Sequence, residues 1–214
     1  MFRDRLDAAG RLVRELSRYR ARRDAVVLAV PRGGLPIGAV LARELDLQLD
    51  VILTKKIGHP NDPEFAIGAV SLTDAEIDAA LVEREGIPSG YLDSEVARIR
   101  ESLRQRYKTY RGAARPLPVA GQTVILTDDG AATGRTLLAA IELLRREKAG
   151  KIVVALPVAP PDTVEALRCA ADQVVCLEQP VDFGAISRFY RDFSQVSDEE
   201  AVAILRGEPS EAEA

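Results

Sequence analysis

Two adjacent aspartates, Asp128 and Asp129, stand between an apolar run and a turn rich in glycine and hydroxyl residues, in the stretch TVILTDDGAATGRT at residues 123–136. Carboxylates accept hydrogen bonds from sugar hydroxyls, whereas the N–H groups at the start of a helix attract a phosphate. Glycines let the backbone approach such a ligand closely. A ribose 5-phosphate satisfies both halves of this pattern, with its phosphate on the N–H groups of residues 132–136 and its 2′ and 3′ hydroxyls on the two acids.

Other interpretations of these motifs are weaker. A P-loop needs GxxxxGK[ST], but GAATGRT separates its glycines by fewer residues and has Arg135 in place of the lysine. A dinucleotide fingerprint needs GxGxxG, and RGGLPIG offers Gly33, Gly34 and Gly38 at other intervals. The two acids could instead cap a helix, which is common for a single aspartate. Two acids, a Thr-Gly-x-Thr turn and an apolar run in one window favour a ligand site.

The elements that must position this motif form an α/β pattern. Five short β-branched runs predict strands, and most of them are separated by helical patterns. Such an alternation is typical of an open parallel sheet covered by helices on both faces, which binds ligands beyond the carboxyl ends of its strands. The predicted strands are residues 25–30, 49–54, 123–127, 151–159 and 173–179, and the predicted helices include residues 36–45, 136–148 and 162–171.

Residues 1–206 are predicted to form a single domain. Some segments of this domain depart from the alternation of strands and helices. Residues 55–72 are rich in Gly, Pro and Asn, which predicts a mobile loop. The helical pattern of residues 74–115 predicts an insertion, with an acidic helix at 74–85 and a long helix from about 94 to 110. The arginine-rich N-terminus predicts an amphipathic surface helix. Residues 207–214 are polar and acidic, which predicts a disordered tail.

Composition limits the possible partners. The 214 residues carry a net charge of −4, which argues against bulk electrostatic binding to nucleic acid or to an anionic membrane. No apolar run approaches the about 18 residues that span a bilayer. The two cysteines and single histidine show no zinc-binding spacing, and they are consistent with a reducing, cytoplasmic compartment.

The stretch VILTDDGAATGRT resembles the signature of the type I phosphoribosyltransferases, in which an apolar strand, two acids and a short turn precede Thr-Gly-x-Thr. The segment VPRGG, residues 30–34, is similar to the pyrophosphate loop of that family, and the segment beginning LTKK falls where the family has a flexible loop over the site. The resemblance implies a parallel sheet with a smaller hood. It also implies an enzyme that moves the phosphoribosyl group of 5-phosphoribosyl 1-pyrophosphate (PRPP) to an acceptor, with Mg²⁺ as cofactor and pyrophosphate as product.

The resemblance also assigns roles to residues. Arg32 and the N–H groups of Gly33 and Gly34 would hold the pyrophosphate, next to a non-proline cis peptide between Pro31 and Arg32. Lys55 or Lys56 would close over the same group; the chain has five lysines against 24 arginines, so the adjacent pair slightly favours a function. The expected catalytic residues are Asp128, Asp129, Arg32 and Lys55. The expected substrate-binding residues are Arg32, Gly33, Gly34, Asp128, Asp129, Ala131, Ala132, Thr133, Gly134, Arg135 and Thr136, and no residue is assigned to a metal.

The acceptor is not identified by these motifs, although a nucleobase is the first candidate. Family members that act on 6-oxopurines usually carry an aspartate where this chain has Ala132, which weakens a purine-salvage interpretation. Residues 180–195 are the expected hood segment, in which Phe183 or Tyr190 could stack on a ring, although core packing is favoured for each. His59 and Glu64 could transfer a proton, but a surface polar role is favoured.

Alternatives from other functional classes remain open. The chain could be a non-catalytic PRPP sensor that regulates a partner, although its acidic balance disfavours a nucleic-acid regulator. It could also be a Mg²⁺-dependent phosphoacceptor that uses Asp128 or Asp129, which would leave the Thr-Gly-x-Thr turn without a purpose. The resemblance further suggests a homodimer.

Overall fold

The computed structural model of the chain describes residues 1–207 and contains a five-stranded parallel sheet. Its strands follow the order β2-β1-β6-β7-β8. This arrangement confirms the predicted α/β class, although β2 ends earlier than expected. The strands are β1 (Ala25–Ala29), β2 (Gln48–Val51), β6 (Thr123–Thr127), β7 (Lys151–Val158) and β8 (Gln173–Glu178).

Helices cover both faces of this sheet because alternate strand residues point to opposite sides. Val27 and Ile125 pack towards α1 and α2, whereas Val26 and Val124 pack towards α5 and α6. The central strands are therefore mainly apolar rather than alternating. The covering helices are α1 (Arg5–Glu15), α2 (Gly34–Leu45), α5 (Arg135–Arg146) and α6 (Pro161–Ala170). The position of α1 confirms the amphipathic N-terminal helix.

The loop predicted for residues 55–72 is wrong, because these residues form most of a second, antiparallel sheet. This sheet contains β3 (Lys55–His59), β4 (Asp62–Val70) and β5 (Ala75–Ile77), in that order. The turn-forming residues Pro60 and Asn61 lie between the paired residues His59 and Asp62, and the register shifts around Gly58. Ile57, Ile67 and Val70 are buried beneath the hairpin, and their burial outweighs the loop-like composition of the segment.

The first helix of the predicted insertion begins later than expected, and the second helix begins earlier than expected. Helix α3 (Ala79–Arg84) follows β5, because residues 75–77 pair with β4 instead of continuing a helix. The long helix α4 (Ser89–Arg111) buries the predicted residues Ile99, Leu103 and Tyr107. The Tyr107 hydroxyl donates to Oδ2 of the buried Asp50 at 2.9 Å, which ties α4 to β2.

The C-terminal part of the described chain contains two further elements. A short 3-10 helix (Ile186–Phe189) lies in the expected hood segment, and α7 (Asp198–Arg206) packs on α2 and α4. Another short 3-10 helix (Ser17–Tyr19) follows α1. No helix within residues 1–207 combines the length and apolar character needed to cross a bilayer. Gly207 ends α7, and the rest of the predicted tail lies outside the described residues. The assignments of 74–115 as an insertion and 180–195 as a hood stay predictions.

Candidate functional site

The acid pair, Asp128 and Asp129, lies at the carboxyl end of β6 in the middle of the parallel sheet. Asp129 is only 8% exposed, and its N–H donates to Oδ1 of Asp128 at 2.8 Å. Burial raises the pKa of Asp128 well above its ordinary value, and the negative charge of Asp129 raises it further. The two carboxyls therefore differ in environment although they are neighbours in the chain.

Arg5 is the partner of Asp129, and the sequence analysis did not identify it. Its Nε and Nη2 lie 3.0 and 2.8 Å from Oδ2 of Asp129. Arg5 is one of eight arginines in residues 1–23, so the sequence offers no signal that separates it from the others. Its burial at 9% exposure does separate it.

The pyrophosphate loop, residues 30–34, packs directly against the acid pair. The expected non-proline cis peptide is present between Pro31 and Arg32. A Cβ added at Gly33 would overlap Oδ2 of Asp129, and one added at Gly34 would lie 2.9 Å from Cα of Asp128. The loop can approach this closely only because both positions are glycine. The fold thus brings the two predicted motifs into van der Waals contact.

The hydrogen-bond donors of this loop are not equivalent. The Gly34 N–H donates to the Val30 carbonyl at 3.0 Å, so it is used inside the loop. The Gly33 N–H has no hydrogen-bond acceptor within residues 1–207, and it remains available for a ligand. Arg32 is partly exposed, and its Nη1 lies 3.6 Å from Oδ1 of Asp198.

The turn after the acid pair, residues 130–136, leads directly into α5. Gly134 precedes α5 in the left-handed conformation with φ +67°, which glycine adopts without strain. The Leu138 N–H donates to the Gly134 carbonyl, so the N–H groups of Arg135 and Thr136 precede the helical hydrogen bonds. The Thr163 hydroxyl donates to the Ala132 carbonyl at 2.8 Å and holds the turn against α6.

The predicted lysines lie on β3 and face a cleft of about 870 Å³ between the antiparallel sheet and the start of α5. Lys56 donates to Oε2 of Glu64 at 2.7 Å, so it is already paired. Lys55, Arg135 and Thr136 line the same cleft. The predicted catalytic residue Lys55 and the last residues of the turn therefore line one cleft. The acid pair and the pyrophosphate loop form a separate cluster beside this cleft.

The aromatic residues of the expected hood belong to the core. Phe183 and Tyr190 are 8% and 5% exposed and pack with Phe2, which confirms the favoured interpretation of both. The Tyr190 hydroxyl donates to the Asp129 carbonyl at 2.6 Å. Burial and the nearby charge of Asp129 raise the Tyr190 pKa, so the hydroxyl stays protonated as a donor. Phe65, on β4, is 44% exposed and lines the cleft instead.

The other predicted polar residues lie in the hairpin. His59 accepts a hydrogen bond at Nδ1 from the Asn61 N–H at 3.2 Å, and Glu64 is the partner of Lys56. Within residues 1–207, no group of three or more His, Cys, Asp or Glu side chains is placed to hold a metal ion. A divalent cation there could take oxygen ligands from a bound substrate as well as from the protein.

The site combines carboxyls, a glycine loop and a helix start at adjoining strand ends. Such a combination can bind a sugar that carries two anionic groups. The model of the phosphoribosyl transferase domain family matches residues 3–194 of the chain. Two Mycobacterium tuberculosis proteins, from strains H37Rv and CDC 1551 and provisionally named phosphoribosyl transferases, are 35% identical over 206 residues, which cover 96% of this chain and 46% of each relative. The chain thus spans about half the length of the curated relatives it matches.

A solved structure has a fold similar to that of this chain. The crystal structure of TT1426 from Thermus thermophilus is similar with a TM-score of 0.85 and 40% sequence identity, over 95% of this chain and 97% of that chain. The family match covers the pyrophosphate loop, the acid pair and the turn. The chain belongs to the phosphoribosyl transferase domain family.

Proposed function

We propose that the protein transfers the 5-phosphoribosyl group of PRPP to a small nucleophilic acceptor and releases pyrophosphate. The observation that supports this proposal most directly is the contact between the acid pair and the pyrophosphate loop, which is so close that a Cβ at Gly33 would overlap the carboxylate of Asp129. A sugar bound by the acids would place its C1 substituent at the loop. The acid pair that would bind the ribose and the loop that would bind the pyrophosphate are therefore adjacent, as PRPP requires on either side of its reacting carbon.

The leaving group would be held by Arg32 and by the free N–H of Gly33. As the bond between C1 and the pyrophosphate oxygen breaks, the electron pair leaves with the pyrophosphate and the ribose carbon gains positive charge. A lone pair of the acceptor then forms the new bond to C1, and the acceptor's proton is released to solvent. When bound, Mg²⁺ would supply positive charge that stabilises the leaving pyrophosphate. Lys55 lies on the adjoining hairpin, and a closing movement of that hairpin would bring its ammonium towards the same oxygens and exclude water.

The 5-phosphate would occupy the turn of residues 130–136. The N–H groups at the start of α5 point there without a helical acceptor, and the helix dipole favours an anion at that end. Thr133 and Thr136 are exposed and can add hydroxyl donors. Ala132 is also exposed and contributes no carboxyl, so the turn itself offers no acidic group to an acceptor base.

The acceptor would enter through the cleft beside the hairpin. Phe65 is an exposed aromatic surface there, and Lys55 and Arg135 are cationic groups that line the same cleft. A planar nucleobase suits such a surface because its ring can stack on phenylalanine. A nucleobase is thus the acceptor class to test first.

Pyrophosphate release from PRPP and Mg²⁺, measured across a panel of nucleobases, tests the proposal. Release that depends on one base, and that is lost in Asp128→Asn/Asp129→Asn, is the expected result. Asp7→Asn is a control, because Asp7 pairs with Arg11 on the surface of α1. Tight PRPP binding without release on any acceptor would favour a sensor, and absence of PRPP binding would contradict both functions.

A further inference from the structure

Arg5 connects three parts of the molecule at the acid pair. Its guanidinium donates twice to Oδ2 of Asp129, and its Nη1 donates to the Ser194 carbonyl at 2.7 Å. Its Cζ lies 3.9 Å from the centre of the Phe193 ring, which stacks against it. The first residue of α1 therefore links the carboxyl end of β6 to the end of the expected hood segment.

The pair formed by Arg5 and Asp129 is buried, with side-chain exposures of 10% and 11%. Leaving a buried carboxylate without a cation is costly, so Arg5 compensates the buried charge of Asp129. The planar guanidinium supplies several donors in a rigid fork, which a lysine cannot reproduce. The oxygen that Arg5 binds is also the oxygen nearest to the Gly33 position. Arg5 thus sets how the carboxylate lies against the pyrophosphate loop.

We propose that Arg5 is a positioning residue of the phosphoribosyl site, which fixes Asp129 as an anchor beside the pyrophosphate loop and leaves Asp128 as the carboxyl that meets the ribose hydroxyls. This proposal rests on the proposed function, because it assigns different roles to the two acids that would bind the sugar. Arg5 touches Asp129 and not the ligand, so it acts through that carboxylate.

Charge distinguishes this role from a purely structural one. The groups that act on Asp128 and Asp129 are Arg5 from α1 and Tyr190 from the segment after β8, and Glu178 at the end of β8 acts on Tyr190. Among them Arg5 supplies the positive charge, and this charge counteracts the increase that burial and Asp129 produce in the pKa of Asp128. Loss of Arg5 would therefore move the ionisation of Asp128 to higher pH.

Ribose 5-phosphate binding, measured by calorimetry across a pH series, tests this role. We expect Arg5→Met to weaken binding by roughly 10- to 100-fold, the effect of one charged hydrogen bond, and to shift the pH profile upwards. Arg5→Lys should restore the pH profile more than the affinity, since it keeps the charge and loses the fork. Arg11→Met is the matched control, because Arg11 lies on the same helix and pairs with Asp7.

A double-mutant cycle with Asp129→Asn separates positioning from general stability. If Arg5 acts through Asp129, adding Arg5→Met to Asp129→Asn should change affinity by less than about threefold, because the two residues act as one unit. Independent effects that multiply would overturn the proposal, as would an unchanged affinity and pH profile in Arg5→Met. If Arg5→Met does not fold, Arg5→Lys is placed in the same cycle. A wild-type chain that does not bind ribose 5-phosphate would overturn the proposed function as well, whereas normal wild-type binding with an inert Arg5 would overturn only this inference.

Discussion

Nη1 of Arg32 lies 3.6 Å from Oδ1 of Asp198, so the arginine of the pyrophosphate loop faces a carboxylate at the start of α7. The same Oδ1 accepts a hydrogen bond from the Tyr110 hydroxyl at 3.1 Å, which holds the carboxylate from the side of α4. An anionic ligand at Arg32 would compete with Asp198 for the guanidinium. The acidic first turn of α7 thereby becomes part of the electrostatic environment of the site.

Asp198→Asn should strengthen pyrophosphate binding. The gain should be at most about 1 kcal/mol, because the ion pair is partly exposed and surface pairs are weak. Calorimetric titration with pyrophosphate and Mg²⁺ measures it. Glu199→Gln removes the same charge one residue away and should have a smaller effect. Weaker binding in Asp198→Asn would mean instead that Asp198 orients Arg32 for the ligand.

Asp128→Asn should stabilise the fold at neutral pH. The folded-state pKa of Asp128 is raised above its ordinary value of 3.8, so the unfolded chain binds fewer protons between those two values. The free energy of unfolding therefore falls as pH rises through this window, and it stays lower above it. Asparagine does not ionise, so the variant should have the higher thermal midpoint at pH 7, with the difference shrinking in acid.

Asp24→Asn provides a control of opposite sign for this pH series. A hydrogen bond from Arg22 lowers the pKa of the exposed Asp24, so its contribution to stability is present above its ordinary pKa and lost in acid. The thermal midpoint of Asp24→Asn should be equal to that of the wild type or slightly lower at pH 7. A midpoint for Asp128→Asn below that of the wild type at pH 7 would contradict the burial argument.

Gly34→Ala should disrupt the contact between the pyrophosphate loop and the acid pair. The added Cβ would lie 2.9 Å from both Cα of Asp128 and the carbonyl oxygen of Thr127, and backbone atoms cannot rotate away. We expect a loss of about 1–3 kcal/mol in the free energy of unfolding, measured with denaturant, together with weaker ribose 5-phosphate binding.

Gly10→Ala is the matched control, since its Cβ in α1 would meet no atom within 4 Å. Alanine in a helix interior gains about 0.5–1 kcal/mol over glycine, so this variant should be more stable and bind normally. Similar losses in both variants would show that the close contact at Gly34 is not the cause.

Lys55→Ala should lower the rate of acceptor-dependent pyrophosphate release by at least about tenfold, because a charged hydrogen bond to the leaving group is worth roughly 1.5–3 kcal/mol. Lys56→Ala is its control, since Lys56 is paired with Glu64, whose side chain is 90% exposed. Steady-state release assays of both variants measure the difference. Equal rates for the two variants would remove Lys55 from the catalytic residues.

Local pattern was enough to predict the parallel sheet and the positions of the acid pair and of the glycines of residues 30–34. The runs that became β1, β6, β7 and β8 are mainly apolar because a sheet with both faces covered requires it. Asp128, Asp129 and the glycines around them follow directly after such strands, so their placement at the carboxyl ends needed no tertiary information. The cis peptide at Arg32 was expected from the family resemblance of the same loop.

Pairing between distant segments decided the rest. The antiparallel sheet was missed because Gly58, Pro60 and Pro63 are typical of a loop, and the strand that completes it, Ala75–Ile77, lies beyond the predicted loop. The amino acid type of a charged residue shows what it can bind, but its partner depends on which surfaces pack together. Only the tertiary structure therefore assigned Arg5 to Asp129 and Asp198 to Arg32, since each pair joins a helix to a loop far from it in the chain.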